Sequence, residues 1–268
     1  MNKFLVLAKN KRTYFLRRLI EEVGEGAATI LNPWEDRPEA TYFERVLVRT
    51  SGVCPDTTDL DLLERKFSAV TSVNPLPALR LFRTKKTQYE AFPAFRIPML
   101  PWVDLKAVTR DGLTVFMEKY PHERYIIKPH RGQGGWGVRG LTREELEHWF
   151  ASEVDREYLL QPLVRGATEL RCFFIKDWCL TLERRNPSGG AANFTQGGEA
   201  RVVATDPEVR ALLAQLRKHV PIFYGALDLF RTPDGLITLE INSVPGIEQL
   251  ERVSGENVMK KLLEHPDF

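Results

Sequence analysis

The segment Asp228-Leu-Phe-Arg-Thr-Pro-Asp-Gly235-Leu-Ile-Thr-Leu-Glu240-Ile-Asn242 constrains this chain more than any other. Thr232-Pro-Asp-Gly235 is a turn sequence, because proline presets one backbone angle and glycine tolerates the unusual one. The flanking runs are apolar and β-branched, so the segment reads as a β-hairpin. Strand side chains alternate between faces, which sends Glu240 and Asn242 the same way. The turn folds the Asp228 strand back beside them. Two carboxylates and an amide oxygen on one face suit a hard cation, and in particular magnesium held together with substrate phosphates. An edge hairpin with a solvated face is the plainer alternative.

About a hundred residues upstream, Tyr125-Ile-Ile-Lys128-Pro129 reads as a short strand ending in a lysine. His130-Arg-Gly132-Gln-Gly134-Gly135-Trp-Gly137-Val138 follows. Glycines allow successive backbone N–H groups to face one concavity, which cradles phosphate oxygens, and Lys128 adds a point charge. Gly132, Gly134 and Gly137 also satisfy the spacing of the dinucleotide fingerprint. That fingerprint needs a helix next, whereas Val138-Arg-Gly-Leu141 reads as a returning strand. A Gly-Lys-Ser/Thr ending is absent too. The segment is therefore expected to be a strand–glycine loop–strand flap with its lysine ahead of the loop.

Composition narrows the class. A chain of 268 residues has room for one large domain or several small lobes. With 43% hydrophobic and 28% charged residues it reads as a soluble globular protein. A net charge of +2 gives bulk electrostatics no reason to seek nucleic acid or a membrane surface. The apolar run near Met1 is too short for a signal peptide, and no window reaches membrane-spanning length. Cys54, Cys172 and Cys179 show no zinc spacing, and the latter two read as buried inert thiols. These features place the protein in the cytoplasm.

The chain divides into three parts, 1–80, 81–157 and 158–268. In the first, strands near 3–8, 28–31 and 45–49 alternate with a helix from Thr13 to Val23, predicting a small α/β lobe with a parallel sheet. In the second, a helix starts at Thr84-Lys85-Lys86, and residues 97–101 run extended. Strands near 113–117 and 124–128, the flap and a helix from Thr142 to Phe150 complete it. The third holds runs at 158–164, 170–175, 178–183 and 200–204, a helix over 206–219, the hairpin and a terminal helix over 254–264.

Taken in order, these motifs resemble the ATP-grasp superfamily, and within it the RimK-like carboxylate–amine ligases. The resemblance rests on Lys128-Pro129 before the flap, Gln161-Pro-Leu-Val164, Glu169-Leu-Arg171, Asn193-Phe-Thr-Gln-Gly-Gly198, Asp228, and Glu240-Ile-Asn242-Ser-Val-Pro-Gly-Ile-Glu248. It covers roughly residues 75–265, and the first lobe is similar only in coarse pattern to a pre-ATP-grasp domain. It implies an α/β ATP-grasp fold and amide formation through an acyl phosphate, from ATP, a carboxylate and an amine. The amine or acid could be an amino acid, a peptide or a carrier protein, and a homo-oligomer stays open.

The resemblance further implies roles. Lys128 and one of Lys85 and Lys86 would hold phosphates, with Gly132, Gly134, Gly135 and Gly137 closing over them. Gln161 and Leu163 would form the adenine hinge, with Ile126 and Leu163 against the ring and Glu169 at the ribose or positioning the hinge. Arg171, Arg184 and Asn193 would act at the γ-phosphate and the carboxylate. Asp228, Glu240 and Asn242 would hold Mg2+ or Mn2+. Three other readings stand beside the ligase: an ATP-grasp kinase using the basic run Arg80, Arg83, Lys85 and Lys86, a non-catalytic nucleotide binder, and a dehydrogenase.

Overall fold

The computed structural model describes residues 4–36, 43–50, 56–132, 134–185 and 199–268. Its first part is a parallel sheet of β1 (Phe4–Leu7), β2 (Ala28–Leu31), β3 (Arg45–Val48) and β4 (Thr71–Ser72), in the order β2-β1-β3-β4. Helix α1 (Tyr14–Val23) begins where the Thr13 hydroxyl accepts the Leu16 N–H. It ends at Gly24, whose φ of 89° suits glycine. Phe15, Leu16 and Leu19 pack this helix onto the sheet, and α2 (Thr58–Lys66) precedes β4. Helices α3 (Leu76–Leu81) and α4 (Lys85–Ala91) lead onward.

The middle sheet is antiparallel, in the order β5-β8-β6-β7, from β5 (Val103–Asp104), β6 (Arg124–Pro129), β7 (Arg139–Thr142) and β8 (Tyr158–Pro162). Strand β8 was expected to open the third part. It pairs instead with β6 and β5, so the crossing falls after Pro162. Residues 113–117, expected as a strand, lie inside helix α5 (Arg110–Lys119). The Thr109 hydroxyl caps its start, and Leu113, Phe116 and Met117 recur at helical spacing against the sheet. Val115, off that period, is 60% exposed. Helix α6 (Arg143–Ser152) starts on a capping box between Thr142 and Glu145.

The third sheet is antiparallel, in the order β11-β10-β9-β12-β13. It comprises β9 (Thr168–Ile175), β10 (Trp178–Arg185), β11 (Glu199–Val203), β12 (Tyr224–Thr232) and β13 (Gly235–Asn242). Helix α7 (Pro207–His219) covers one face, where Leu213 and Leu216 meet Leu170, Cys172, Phe174 and Leu227. On the other face Phe173, Ile175, Leu182 and Tyr224 join Val6, Leu16 and Leu47 of the first lobe. The expected terminal helix is broken in two, α8 (Glu248–Ser254) and α9 (Val258–Leu263), because Gly255 turns left-handed at φ 71°. Asn257 then caps the second piece at Lys260. No helix of the described residues is long and apolar enough to cross a membrane.

Helix α4 is held chiefly by burial. Tyr89 and Phe92 are both 0% exposed and pack against Leu159, Leu229 and Ile241. Burying each ring is worth about 1.5–3 kcal/mol, against about 0.5–1.5 kcal/mol net for one hydrogen bond. Packing therefore fixes where α4 lies, and its hydrogen bonds fix how it is aimed.

Candidate functional site

The hairpin forms as its turn predicts, with Thr232 opposite Gly235 and Leu229 opposite Thr238. Continued without interruption, that count would set Asp228 opposite Leu239. A β-bulge intervenes, so Asp228 pairs with Glu240 and Ala226 with Asn242. The bulge, rather than the turn alone, brings Asp228, Glu240 and Asn242 to one face. Asp228 lies opposite Arg171, and Arg184 lies opposite Glu169, two residues along β9. Strand alternation puts all six residues on the face that, farther along the strands, packs on the first lobe.

Across from this face stand two amines. Lys85, at the start of α4, has its Nζ 3.0 Å from Glu240 and 3.3 Å from the Gly132 carbonyl. Lys128 of β6 donates to Gln161 Oε1 at 2.9 Å. Ile126 shares the Lys128 face of the middle sheet and is half-buried. The flap turns through Gly134, Gly135 and Gly137, with φ of 67°, 76° and 76°. A Cβ on Gly132 would meet the Pro129 ring at 3.0 Å, so a side chain there would press on that ring.

The two candidate lysines separate cleanly. Lys86 pairs with Asp104 at 2.7 Å, away from Glu240, and Asp104 also holds His130 at 3.0 Å. Arg185 is exposed on the opposite face and pairs with Glu183. Leu163 donates its N–H to the Arg124 carbonyl at 3.1 Å, which engages that amide within the sheet. Asn193 lies outside the described residues.

Charges at the site are mutually compensated. Asp228, 3% exposed, accepts from Arg184 at 2.9 Å and Arg171 at 3.1 Å, and Arg184 also pairs with Glu169. Burial pushes the Glu240 carboxyl up, but Lys85 leads the cations that outweigh it, and the net shift is downward. Burial, with the nearby Lys85 charge, pulls Lys128 down to about 8. Glu169 is raised, mainly by burial.

Among the described residues no three His, Cys, Asp or Glu side chains cluster as a metal site. The donor set here is two carboxylates completed by an amide, all oxygen, which fits magnesium. The Asn242 side-chain Oδ1 accepts the Val244 N–H at 2.9 Å, which fixes the orientation of the amide. A nucleotide fits as well. Lys85, Lys128, Arg171 and Arg184 converge on the cleft, and the buried Arg184 Nε has no hydrogen-bond partner among the described residues.

The sequence reading missed Gln88 and Tyr89. Gln88 Oε1 accepts the Ile241 N–H at 2.8 Å, and the Tyr89 hydroxyl donates to the Leu239 carbonyl at 2.7 Å. Their signal was spacing, since both lie one turn after Lys85 on the same helical face.

A model of the RimK-like ATP-grasp domain family matches residues 102–265. A protein of Xanthomonas campestris pv. campestris named "Probable alpha-L-glutamate ligase" is 26% identical over 98% of each chain. Among solved structures, a D-cycloserine synthetase superposes with a TM-score of 0.76 at 18% identity, covering 99% of both chains. The ATP-grasp ligase PsnB, in complex with a precursor variant, Mg and ADP, gives a TM-score of 0.71 at 16% identity over 98% of both.

Proposed function

The chain belongs to the RimK-like ATP-grasp family, and from that premise we propose how its residues divide the work of an ATP-dependent carboxylate–amine ligase. The observation that carries the reading is the single face presenting Glu169, Arg171, Arg184, Asp228, Glu240 and Asn242 toward Lys85 and Lys128. ATP lies between the middle sheet and this face. Lys128 and Lys85 meet its phosphates, and the glycine flap covers them. Half-buried Ile126 and Leu163 offer an apolar seat for adenine beside Gln161, and Glu169 lies within reach of the ribose.

Asp228, Glu240 and Asn242 would hold Mg2+, which supplies charge neutralisation between phosphate oxygens when bound. Arg171 and Arg184 now occupy Asp228 as counter-charges. Released from it, their guanidinium forks suit the γ-phosphate and the substrate carboxylate together. A carboxylate oxygen attacks the γ-phosphorus and the bond to the β-phosphate oxygen breaks, giving ADP and an acyl phosphate. The amine then attacks the acyl carbon, the C–O bond to phosphate breaks, and the amine loses a proton. The protein aligns these groups and keeps water from the acyl phosphate.

The kinase reading is weakened by its own basic run. Arg80 is taken by Asp61 and Glu64, Arg83 by Asp59, Lys85 by Glu240 and Lys86 by Asp104. Arg80, Arg83 and Lys86 thus engage separate acidic partners and Lys85 belongs to the ATP site in either reading, so among the described residues the run forms no shared polyanion pocket. Likeness to a protein named for glutamate ligation makes an α-amino acid the first amine to test. ADP release should be measured across amino acids and short peptides, with hydroxylamine as trap. Acid-dependent ADP with hydroxamate is the expected result. ADP formed with a phosphorylated hydroxyl and no hydroxamate would overturn the ligase assignment.

A further inference from the structure

We propose that Tyr89 and Gln88 are positioning residues that hold the β13 bulge and thereby aim Glu240 at the cation it shares with Asp228. The proposal rests on the reading of Asp228, Glu240 and Asn242 as metal ligands, and extends it to residues that touch neither metal nor nucleotide.

The bulge decides which residue of β13 faces Asp228. Removing it would restore the count set by the turn, bring Leu239 opposite Asp228 and turn Glu240 to the other face. Strand β13 is the edge of its sheet, so its outward backbone groups around the bulge need partners from outside the ladder. Helix α4 supplies them from one face. The Tyr89 hydroxyl donates to the carbonyl of Leu239, at 2.7 Å, immediately before Glu240. The Gln88 side-chain oxygen accepts from the N–H of Ile241, at 2.8 Å, immediately after it. Lys85, a turn earlier, meets the Glu240 carboxylate itself at 3.0 Å. The helix thus grips three successive residues of the bulged strand.

Both clamping groups are immobile. Tyr89 is 0% exposed and Gln88 is 4% exposed. The Gln88 amide also donates to the Phe82 carbonyl at 3.3 Å, which fixes which of its ends faces β13. The Tyr89 hydroxyl stands 3.2 Å from Gln161 Oε1, the same atom that accepts Lys128. The cation-facing strand and the phosphate-facing lysine are thereby referenced to one phenol.

The test measures binding without turnover. Mn2+ is titrated into protein saturated with a non-hydrolysable ATP analogue, and free Mn2+ is followed by electron paramagnetic resonance. Tyr89→Phe keeps the ring and removes only the hydroxyl. It should weaken Mn2+ about tenfold, as loss of a residue that orients a ligand commonly does. Analogue binding without metal should change far less than Mn2+ affinity, since the phenol touches Lys128 only through Gln161. Gln88→Leu should act the same way from the other side of Glu240, and tests the clamp even where one variant folds poorly. Amide exchange at Ile241 should quicken in both. If Tyr89→Phe and Gln88→Leu lower the melting temperature but leave Mn2+ affinity intact, their role is structural only and the proposal fails. Glu240→Gln separates the two ideas. If it too leaves Mn2+ binding intact, the metal assignment itself is wrong.

Discussion

Lys128 ends β6 with its amine on Gln161, and burial with the Lys85 charge brings its proton affinity down to about 8. Above that pH the ATP-free protein holds Lys128 neutral, while phosphate oxygens favour the charged form. ATP binding near pH 9 should therefore take up a proton, on the order of one per site. Calorimetry in two buffers of different ionisation heat reads this directly. Buffer-independent heats in the wild type would remove Lys128 from the phosphate site. Linkage also sets a sign for stability. Between about 8 and its ordinary value the unfolded chain binds this proton and the folded one does not, so Lys128's contribution rises with pH there. Arg184 gives a second residue-scale expectation. Its Nη2 alone meets both Asp228 and Glu169 while the buried Nε has no partner among the described residues, so the planar group keeps a further donor that lysine lacks. Arg184→Lys should keep ATP affinity within a few-fold and slow single-turnover ADP formation by about 10². Equal losses in both would make it a plain nucleotide contact. At this scale the sequence marked Glu169, Arg171, Arg184, Asp228, Glu240 and Asn242, which the fold brings to one face. It could not separate Lys85 from Lys86, because adjacent helical residues diverge by an angle that only the docked helix resolves.

The flap's base and the start of α4 are tied through Asp104. One carboxylate oxygen meets Lys86 at 2.7 Å, the other meets His130 Nε2 at 3.0 Å, and the His130 carbonyl accepts the Lys85 N–H at 3.0 Å. Burial pushes Asp104 up, but Lys86 and its other partners outweigh that, and the net shift is downward. The stability it contributes is present above the unfolded carboxyl value and is lost as pH falls through the lower folded one. Asp104→Asn should flatten that acid limb in urea titrations. It should also raise the KM for ATP about tenfold with little change in kcat, since Lys85 and the flap lose a common anchor. An unchanged KM would confine Asp104 to stability. Elements were read well where a cap or a period marked them, as in α1, α6 and α7. They were misread where two periods overlapped. Leu113-Thr-Val-Phe-Met117 satisfies a strand by composition and a helix by spacing, and the Thr109 cap settles it. The bulge was legible in principle. A tight turn at Thr232–Gly235 and a facing pair Asp228–Glu240 differ by one residue of register, and one inserted residue is what reconciles them.

At the scale of the molecule, the cores show which parts share packing. The middle sheet owns a separate cluster of Leu105, Leu113, Tyr125, Ile127, Leu146 and Leu160. The first lobe and the third sheet share theirs, and Asn74 stitches them with bonds of 2.8–3.2 Å to Phe223, Tyr224 and Ser243. Sequence order suggests three parts, and the packing ties the first to the third, because the third sheet has two faces to fill. The joint beside that shared core is charged. Arg83 and Asp59 pair with side chains 6% and 0% exposed, and Thr50 bonds the same carboxylate. Removing one member of such a pair leaves a buried charge uncompensated, at a cost of about 3–5 kcal/mol. The neighbouring Arg80 pairs with Asp61 and Glu64 while 38% exposed, where solvent screening leaves at most about 1 kcal/mol. Urea denaturation of Arg83→Leu and Arg80→Leu should therefore separate widely, although both delete one arginine within four positions of each other. The expected difference is about 2–4 kcal/mol, with the larger loss at Arg83. Comparable small losses in the two variants would mean that the buried pair adds little net stability, and that the joint between α2 and α3 is held by packing of Leu79 and Phe82 instead.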